Sequence, residues 1–246
     1  EILIGLVGSE MCIRDRFIDR LKNEIISSVH NIDKKKCNSF FQKVYECAKK
    51  NYPYIISFSK RRDDAAQWER YANNAKGICI GFYKNKLDSL KRKIKEPFFL
   101  QTVFYDFNVR KHEHFDCVKK YIFDNDLDPF TNEESLIENI VATACSFKNV
   151  SFSAEDEIRA IILYVDSPSE FVRVEFEIRN GVIKKYAKIK WYDVCKKLEL
   201  NIQDLISEII IGPRSQQKID ILKEYLSLND YDDLALKVKN SECPLR

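Results

Sequence analysis

Two glutamates and an arginine occupy alternate positions in the short segment from Glu155 to Arg159. In an extended chain, residues two apart share a face, so Glu155, Glu157 and Arg159 are predicted to line one side of a strand entry. Neighbouring carboxylates raise the pKa of one of them and a guanidinium lowers it, a combination typical of acid–base sites. The alternative is a structural ion pair between Arg159 and Glu157 at a sheet edge, which serves stability or solubility.

A serine-x-serine pair, Ser57 and Ser59, lies upstream in the predicted strand Tyr54–Ser59, which is rich in aromatic and branched residues. Trp68 and Tyr71 stand three apart on the helix predicted next, so they share a face on which a planar ring could stack. The plainer interpretation is that the serines are ordinary strand positions and that Trp68 and Tyr71 anchor the core.

A serine-x-serine strand followed by Glu-x-Glu at a strand entry resembles the layout of ADP-ribosyltransferases of the arginine-serine-glutamate type. The resemblance implies that Glu157 hydrogen-bonds the nicotinamide ribose of NAD and stabilises an oxocarbenium-like transition state, while Glu155 orients or deprotonates the acceptor. It implies that Ser57 braces Glu157 and that an aromatic ring stacks on nicotinamide. The interval between serines and glutamates is much longer than in that class, and its upstream basic residue is not visible. The residues that the resemblance assigns to NAD binding are Ser59, Phe58, Trp68 and Tyr71.

Metal chemistry is not expected. His112 and His114 would point about 200° apart on a helix, and only His112 and Asp116 share a face. Glu175 and Glu177 with Lys184 or Lys185 could be assembled into a magnesium nuclease site, but alternating charges on the solvent face of a hairpin explain them better.

Composition excludes several classes of protein. The net charge is +3 from 41 basic and 38 acidic residues, so nucleic acid is not an expected partner. Only four glycines follow Phe17, too few for Rossmann, P-loop or nucleophile-elbow motifs. Eight scattered cysteines without a C-x-x-C favour reduced thiols in the cytosol, and no apolar run is long enough for a membrane span.

The periodicity of apolar residues predicts an α+β fold with a mixed, mainly antiparallel sheet, flanking helices and a helical insertion at about residues 108–150. Asn180-Gly181 indicates a type I′ hairpin turn. We expect one domain over residues 17–246. The predicted helices are Phe17–Val29, Phe40–Ala48, Asp63 or Asp64 to Ala75, 112–123, 132–147 behind the capping box Thr131–Glu134, and Ser215–Leu228. The predicted strands are Tyr54–Ser59, Ile78–Phe82, Phe98–Phe107, Ile158–Val165, Phe171–Arg179, Val182–Lys190, the strand within EIIIGPR, and the strand within LALKV.

The stretch GLVGSEMCIRDR, within residues 1–16, resembles the translation of a sequencing-library adapter. A segment of that origin carries no information about the natural fold, so the natural chain is predicted to begin near Phe17 and to lack its own N-terminus. The alternative is that ILIGLVG is a buried strand or the apolar part of a signal peptide.

Four motifs in order resemble the bacterial family catalogued as domain of unknown function 2971. They are SFSKRRDDAAQWERYANNAKGICIGF, KNVSFSAEDEIRAI, EIIIGPR and VKNSECPLR, and the family-like region covers about residues 54–246. The resemblance names a family without an established activity.

The sequence therefore favours a bacterial cytosolic protein that transfers ADP-ribose from NAD or hydrolyses NAD, in a toxin or phage-defence setting, with an acceptor still to be identified. If it does, Glu155 and Glu157 should open into a pocket with an aromatic wall. The alternative is a non-catalytic sensing or protein-interaction module, in which Trp68, Tyr71 and Arg214 serve packing and partner contact.

Overall fold

The computed structural model describes residues 2–5, 8–28, 33–51, 53–91, 98–106, 108, 113–124, 132–163, 172–179, 181–189, 191–197 and 199–245. The chain forms two compact units, the first from residues 1–58 and 95–189 and the second from residues 59–94 and 190–246. Helices and mostly antiparallel sheets occur together, which confirms the predicted α+β class. The single domain stays a prediction. Some positions named from the sequence lie outside the described residues: Val29, Phe107, His112, Thr131, Val165, Phe171, Asn180 and Lys190.

In chain order, the described strands are β1 (Ile2–Gly5), β2 (Pro53–Ser59), β3 (Ile78–Phe82), β4 (Phe98–Thr102), β5 (Glu157–Leu163), β6 (Val172–Arg179), β7 (Val182–Ile189), β8 (Ile206–Ile211) and β9 (Val238–Asn240). The described helices are α1 (Gly8–Ser28), α2 (Lys34–Lys50), α3 (Ala65–Tyr71), α4 (Lys84–Lys91), α5 (Glu113–Asp124), α6 (Glu133–Ala144), α7 (Trp191–Lys197), α8 (Ile219–Ser227) and α9 (Asp232–Ala235). Short 3₁₀ helices span Val150–Glu155 and Ile202–Leu205.

A six-stranded sheet of order β4-β5-β2-β1-β7-β6 forms the first unit. β4 pairs antiparallel with β5, and β7 pairs antiparallel with both β1 and β6. β5 is buried along its whole length, as its run of apolar residues favours. Because β2 and β5 are neighbours in the sheet, Ser57 and Glu157 can meet although 100 positions separate them.

Helices α1, α2, α5 and α6 supply the main hydrophobic core of the first unit. Phe17 of α1 stacks on Phe147 at a ring-centroid distance of 4.4 Å, and Phe41 of α2 and Ile140 of α6 are fully buried in the same cluster. The helical insertion predicted at about residues 108–150 corresponds to α5 and α6, between β4 and β5. It is therefore part of the core, because its apolar faces pack against α1 and α2.

The predicted hairpin is confirmed as β6 and β7. The strands pair from Val172 opposite Ile189 to Arg179 opposite Val182, and Gly181 in the turn has a φ of 74°. This left-handed conformation is one that glycine adopts without the steric cost of a Cβ atom.

A three-stranded sheet of order β3-β8-β9 forms the second unit, with β3 antiparallel and β9 parallel to β8. The carboxylate of Asp63 accepts hydrogen bonds from Trp68 Nε1 at 2.6 Å, Ser241 Oγ at 2.5 Å and the backbone N–H of Glu242 at 2.7 Å. Asp63 therefore ties the C-terminal segment, through Ser241 and Glu242, to Trp68 of α3.

Several predicted elements are wrong at their boundaries. Strand β4 ends at Thr102 and not at Phe107, α6 ends at Ala144 and not at residue 147, and α8 begins at Ile219 and not at Ser215. Helix α3 ends at Tyr71 and not at Ala75, because Asn73, Asn74 and Ala75 take positive φ values. The residue that caps α6 is Asn132, which accepts from Ser135 N, and not the first residue of the proposed capping box. The LALKV segment contains the end of α9 and then the start of β9, while α4 and α7 were not predicted.

The adapter-like residues fall in β1 and the first turns of α1. The structure thus gives the first residues a strand, which was the alternative interpretation; their adapter origin stays a prediction. Within the described ranges, no helix combines the length and apolar character that crossing a bilayer requires.

Candidate functional site

A tight change of direction places the two glutamates of the Glu-x-Glu motif. Asn149 caps the 3₁₀ helix Val150–Glu155 by accepting from Ser151 N, and Asp156 then takes a φ of 43° before β5 begins at Glu157. Aspartate is among the non-glycine residues that tolerate this left-handed conformation best. The prediction that Glu155 shares a strand face with Glu157 and Arg159 is therefore wrong, because Glu155 lies on the helix that precedes the strand.

The carboxylate of Glu157 is held by three side chains. Ser57 Oγ donates a short hydrogen bond to Oε1, and Arg159 Nε donates to the same oxygen at 2.8 Å. Lys148 Nζ lies 3.0 Å from Oε2. The backbone N–H of Glu157 donates to the hydroxyl of Tyr105 at 3.1 Å, which fixes the start of the strand.

Lys148 joins the second glutamate to the first. Its Nζ lies 2.6 Å from Glu155 Oε2, so one ammonium group bridges both carboxylates, and it also lies 5.1 Å from the ring centroid of Phe152. Lys148 follows a bridge between Phe104 and Phe147, and its backbone N–H donates to the carbonyl of Phe104. Backbone pairing therefore fixes the position of the Lys148 backbone, and this limits where the side chain can place its ammonium group. We refer to Ser57, Lys148, Glu155, Glu157 and Arg159 as the charged cluster.

Arg159 anchors the charged cluster to helix α6. Its side chain is 1% exposed, and Nη1 donates to the carbonyl oxygen of Cys145 at 2.5 Å. Cys145 is the residue that caps the C-terminal end of α6, where carbonyl groups lack helical partners and carry partial negative charge. The guanidinium thus has a negative partner on each side and holds Glu157 in one orientation.

A chain of buried polar side chains lies beside Arg159. Gln101 pairs with Arg159 across β4 and β5, and its side chain bonds Thr143 Oγ1 at 3.2 Å and Ser146 Oγ at 2.8 Å. His114 Nε2 is 2.8 Å from the same Thr143 hydroxyl. The predicted metal-capable histidine His114 is therefore in contact with a hydroxyl of the core. Among the described residues, no group of three metal-capable side chains occurs.

The electrostatics of Glu157 favour its ionised form. Burial alone would raise the pKa of this carboxyl, but the hydrogen bonds and charges of Arg159, with those of Ser57 and Lys148, hold it below its ordinary value. Burial would lower the pKa of Lys148, and its hydrogen bonds to Glu155 and Glu157 raise it instead. Glu157 and Lys148 thus stabilise each other's charged forms.

The charged cluster is closed, which contradicts the expectation of two carboxylates opening into a pocket. The side chains of Glu157 and Glu155 are only 4% and 6% exposed, because Arg159 and Lys148 cover them. Ser57 is the exposed residue of the charged cluster, and Lys148 is half-buried. A ligand could reach Glu157 from this side only if Lys148 or Ser57 moved.

The residues assigned to NAD binding are distributed over both units. Phe58 is half-buried in the first unit, whereas Ser59, Trp68 and Tyr71 belong to the second. Trp68 is buried with Ala75 and Ile210 in the core of the second unit, so its ring is a core anchor and has no free face for nicotinamide. Tyr71 is exposed, and its role in ligand binding stays a prediction.

Sequence reasoning missed Lys148, Tyr105 and Phe152 as members or neighbours of the site. The signal for Lys148 was present, since it opens the same motif that contains Glu155 and Glu157. Six residues of irregular and 3₁₀ structure lie between it and Glu155, so neither helical nor strand periodicity placed the two together.

The comparisons with known proteins give a match to one family model but no activity. A family model described as "Protein of unknown function (DUF2971)" matches residues 67–160, which include all of the charged cluster except Ser57. No curated protein and no solved structure matches the chain. The resemblance inferred from the four motifs is thus confirmed over residues 67–160, where the chain matches the model of the DUF2971 family.

Proposed function

We propose that the protein cleaves the bond between nicotinamide and ribose in NAD and transfers ADP-ribose to an acceptor or to water. The observation that carries the proposal is the hydrogen bond from Ser57 to an ionised Glu157, whose orientation Arg159 maintains. A serine hydroxyl bound to the strand-entry glutamate is the contact that the resemblance to arginine-serine-glutamate ADP-ribosyltransferases implies.

An ionised Glu157 suits a charge-stabilising role better than an acid role. When the C1′–N bond breaks, nicotinamide leaves with the bonding electron pair and positive charge develops on the ribose. A fixed carboxylate beside the ribose stabilises that charge without reorganising, which is commonly the largest contribution to catalysis. Because the pKa of Glu157 is lowered, the carboxylate remains charged at neutral pH.

Oε2 is the oxygen of Glu157 that can exchange its partner, Lys148, for a ribose hydroxyl. Oε1 accepts from both Ser57 and Arg159, whereas Oε2 meets Lys148. In the proposed complex a ribose hydroxyl donates to Oε2, and the ammonium of Lys148 moves away while it remains on Glu155. The acceptor then adds to C1′ and loses its proton to Glu155 or to solvent.

The test is the release of nicotinamide from NAD by the full chain and its variants. We expect Glu157→Gln to lower the rate by about 100-fold or more, because the developing charge loses its counter-charge. Ser57→Ala is expected to lower the rate about tenfold, the value of one hydrogen bond to a charged group. Ser57 is exposed, so its loss should leave folding intact.

Asp88→Asn is a matched control, since it removes a carboxylate from a solvent-exposed pair with Lys84. Its rate should equal that of the wild type. Equal rates for the wild type and Glu157→Gln, or no nicotinamide release by a folded wild-type chain over a range of acceptors, would contradict the proposal.

The bacterial cytosol and a toxin or phage-defence setting belong to the same proposal. The described cysteines are all free thiols, which supports a reducing compartment.

A second candidate is a non-catalytic sensing or protein-interaction module. The near-complete burial of Glu155 and Glu157 favours it, because each carboxylate already has a cation as its partner. In that case the charged cluster serves stability alone. Glu157→Gln would shift the unfolding transition of the protein in either case, but under this second candidate NAD would neither turn over nor raise the melting temperature.

A further inference from the structure

The β6–β7 hairpin exposes three apolar side chains on one face of its distal half, beside Lys185. Phe176, Ile178 and Ile183 are 68%, 72% and 70% exposed, whereas Val172 and Ala187 on the same face are buried at the base of the hairpin. Apolar side chains that stand together and exposed on one strand face are typical of a surface that another chain covers. Both the face and the adjoining strand edge thus belong to the first unit.

β6 is also the last strand in the order of the six-stranded sheet. Such an edge strand presents backbone N–H and C=O groups to which another strand can add. β6 has eight residues, longer than the short edge strands with which proteins discourage such pairing. Its even-numbered residues are apolar and its odd-numbered residues are charged.

The charges on β6 are complementary to those of a second β6 running in the opposite direction. A two-fold axis perpendicular to the sheet keeps the apolar faces of both copies on the same side. Such an axis lies between a residue of one strand and the same residue of the other, and we name each alignment by that residue. With the axis at Glu175, Arg173 lies opposite Glu177 of the second copy, Val174 opposite Phe176, and Val172 opposite Ile178. Every residue from Val172 to Ile178 then has a partner, and Arg173 of each copy faces Glu177 of the other copy.

The other symmetric alignments are worse. An axis at Phe176 sets Arg173 against Arg179 and Glu175 against Glu177, so every charged pair is repulsive. Axes at Val174 and Glu177 restore opposite charges but leave a shorter stretch of each strand paired. The axis at Glu175 therefore combines a long pairing with two attractive pairs, at the cost of one contact between the two copies of Glu175.

The hairpin itself already lowers that cost. Glu175 accepts a hydrogen bond from the Tyr186 hydroxyl at 3.0 Å and lies 3.9 Å from Lys188 Nζ. Arg173, in contrast, lies directly opposite Lys188 of β7, which carries the same charge. A glutamate on the open side of Arg173 would relieve this repulsion, and the second copy supplies one.

We propose that β6 pairs antiparallel with β6 of a second copy of this chain, joining two six-stranded sheets into one continuous sheet about an axis at Glu175. The proposal is independent of any NAD chemistry. It rests on the exposed apolar face, on the position of β6 at the end of the sheet, and on the charge pattern of the strand.

Sedimentation of the full chain as a function of concentration tests the pairing. We expect the wild type to form dimers, and Arg173→Glu and Glu177→Arg each to weaken the dimer at least about tenfold, because each change turns two attractive pairs into two repulsive ones. An equimolar mixture of these two variants should restore a dimer that contains one chain of each. In that mixed dimer each of the two pairs again joins a glutamate to an arginine. Misfolding of either variant would not give this outcome.

Additional variants separate this arrangement from nonspecific association. Phe176→Ser should weaken the dimer, whereas Leu236→Ser, which removes an exposed leucine of the second unit, should not. Glu175→Gln should tighten the dimer, since the repulsive contact at the axis disappears. A wild-type chain that is monomeric throughout the accessible concentration range, or single variants whose mixture stays monomeric, would overturn the proposal.

Discussion

Removing the charge of Glu157 should destabilise the fold far more than removing a surface carboxylate. In Glu157→Gln, the guanidinium of Arg159 stays buried at 1% exposure and keeps its hydrogen bond to the Cys145 carbonyl, but it loses its carboxylate partner. Breaking one side of a buried ion pair costs about 3–5 kcal/mol, because the remaining charge is not compensated. Asp88→Asn, in the exposed Lys84–Asp88 pair, should cost no more than about 0.5 kcal/mol.

A double-mutant cycle with Arg159→Met identifies the source of this cost. Each single change should destabilise by about 3–5 kcal/mol, whereas the double variant leaves no unpaired charge between these two positions. We expect the double variant to be at least about 2 kcal/mol more stable than the sum of the single changes predicts. The free energies of unfolding come from urea titrations followed by circular dichroism, with coincident fluorescence to check that the transition is cooperative.

Additivity within about 0.5 kcal/mol would refute this account of the pair. It would mean that Arg159 and Glu157 contribute separately, for example through packing of their side-chain stems. The same titrations on Asp88→Asn set the scale for an ion pair that solvent screens.

Two further changes follow from the contacts of the described residues. Lys148→Met should cost about 2 kcal/mol of unfolding free energy near neutral pH, intermediate between exposed and buried pairs. Glu157 has a lowered pKa, so its contribution is present above its ordinary value of 4.5 and disappears as the pH falls through its folded value. Lys148 has a raised pKa, so its contribution to stability persists up to its ordinary value of 10.5 and disappears as the pH rises beyond it. Urea titrations of Lys148→Met from about pH 3 to about pH 11 test this. A cost independent of pH would contradict the bridge that Lys148 makes between Glu155 and Glu157. Asp63→Ala should destabilise the protein by about 1–3 kcal/mol, because the buried indole N–H of Trp68 loses its acceptor. It should also expose the C-terminal segment to carboxypeptidase. Asp63→Asn retains an acceptor oxygen and should cost less.

Local signals in the sequence account for the parts of the fold that could be predicted. The β6–β7 hairpin follows from alternation and from the turn residues around Gly181, which act within a few positions of one another. The helices α1 and α2 follow from apolar spacing that the core confirms at Phe17 and Phe41. Helix α3, however, ended a turn early, since left-handed conformations at Asn73 and Asn74 have no signal in periodicity.

The charged cluster depends on contacts that local patterns do not encode. Ser57 and Glu157 meet because β2 and β5 are neighbours in the sheet, and only the resemblance to arginine-serine-glutamate ADP-ribosyltransferases suggested that contact beforehand. Lys148 was missed because its position depends on backbone pairing with Phe104. The expectation of an open site was wrong for a related reason: the sequence shows which charges exist, but not that they neutralise one another in the core.

The most direct test of the central claim is the rate at which the intact chain releases nicotinamide from NAD, measured beside Glu157→Gln under the same conditions. The account predicts measurable release by the wild type and a loss of about 100-fold or more in a Glu157→Gln variant shown to be folded by circular dichroism. Release that is absent in the wild type, or equal in the two proteins, would contradict the account and leave the charged cluster a structural element of the fold.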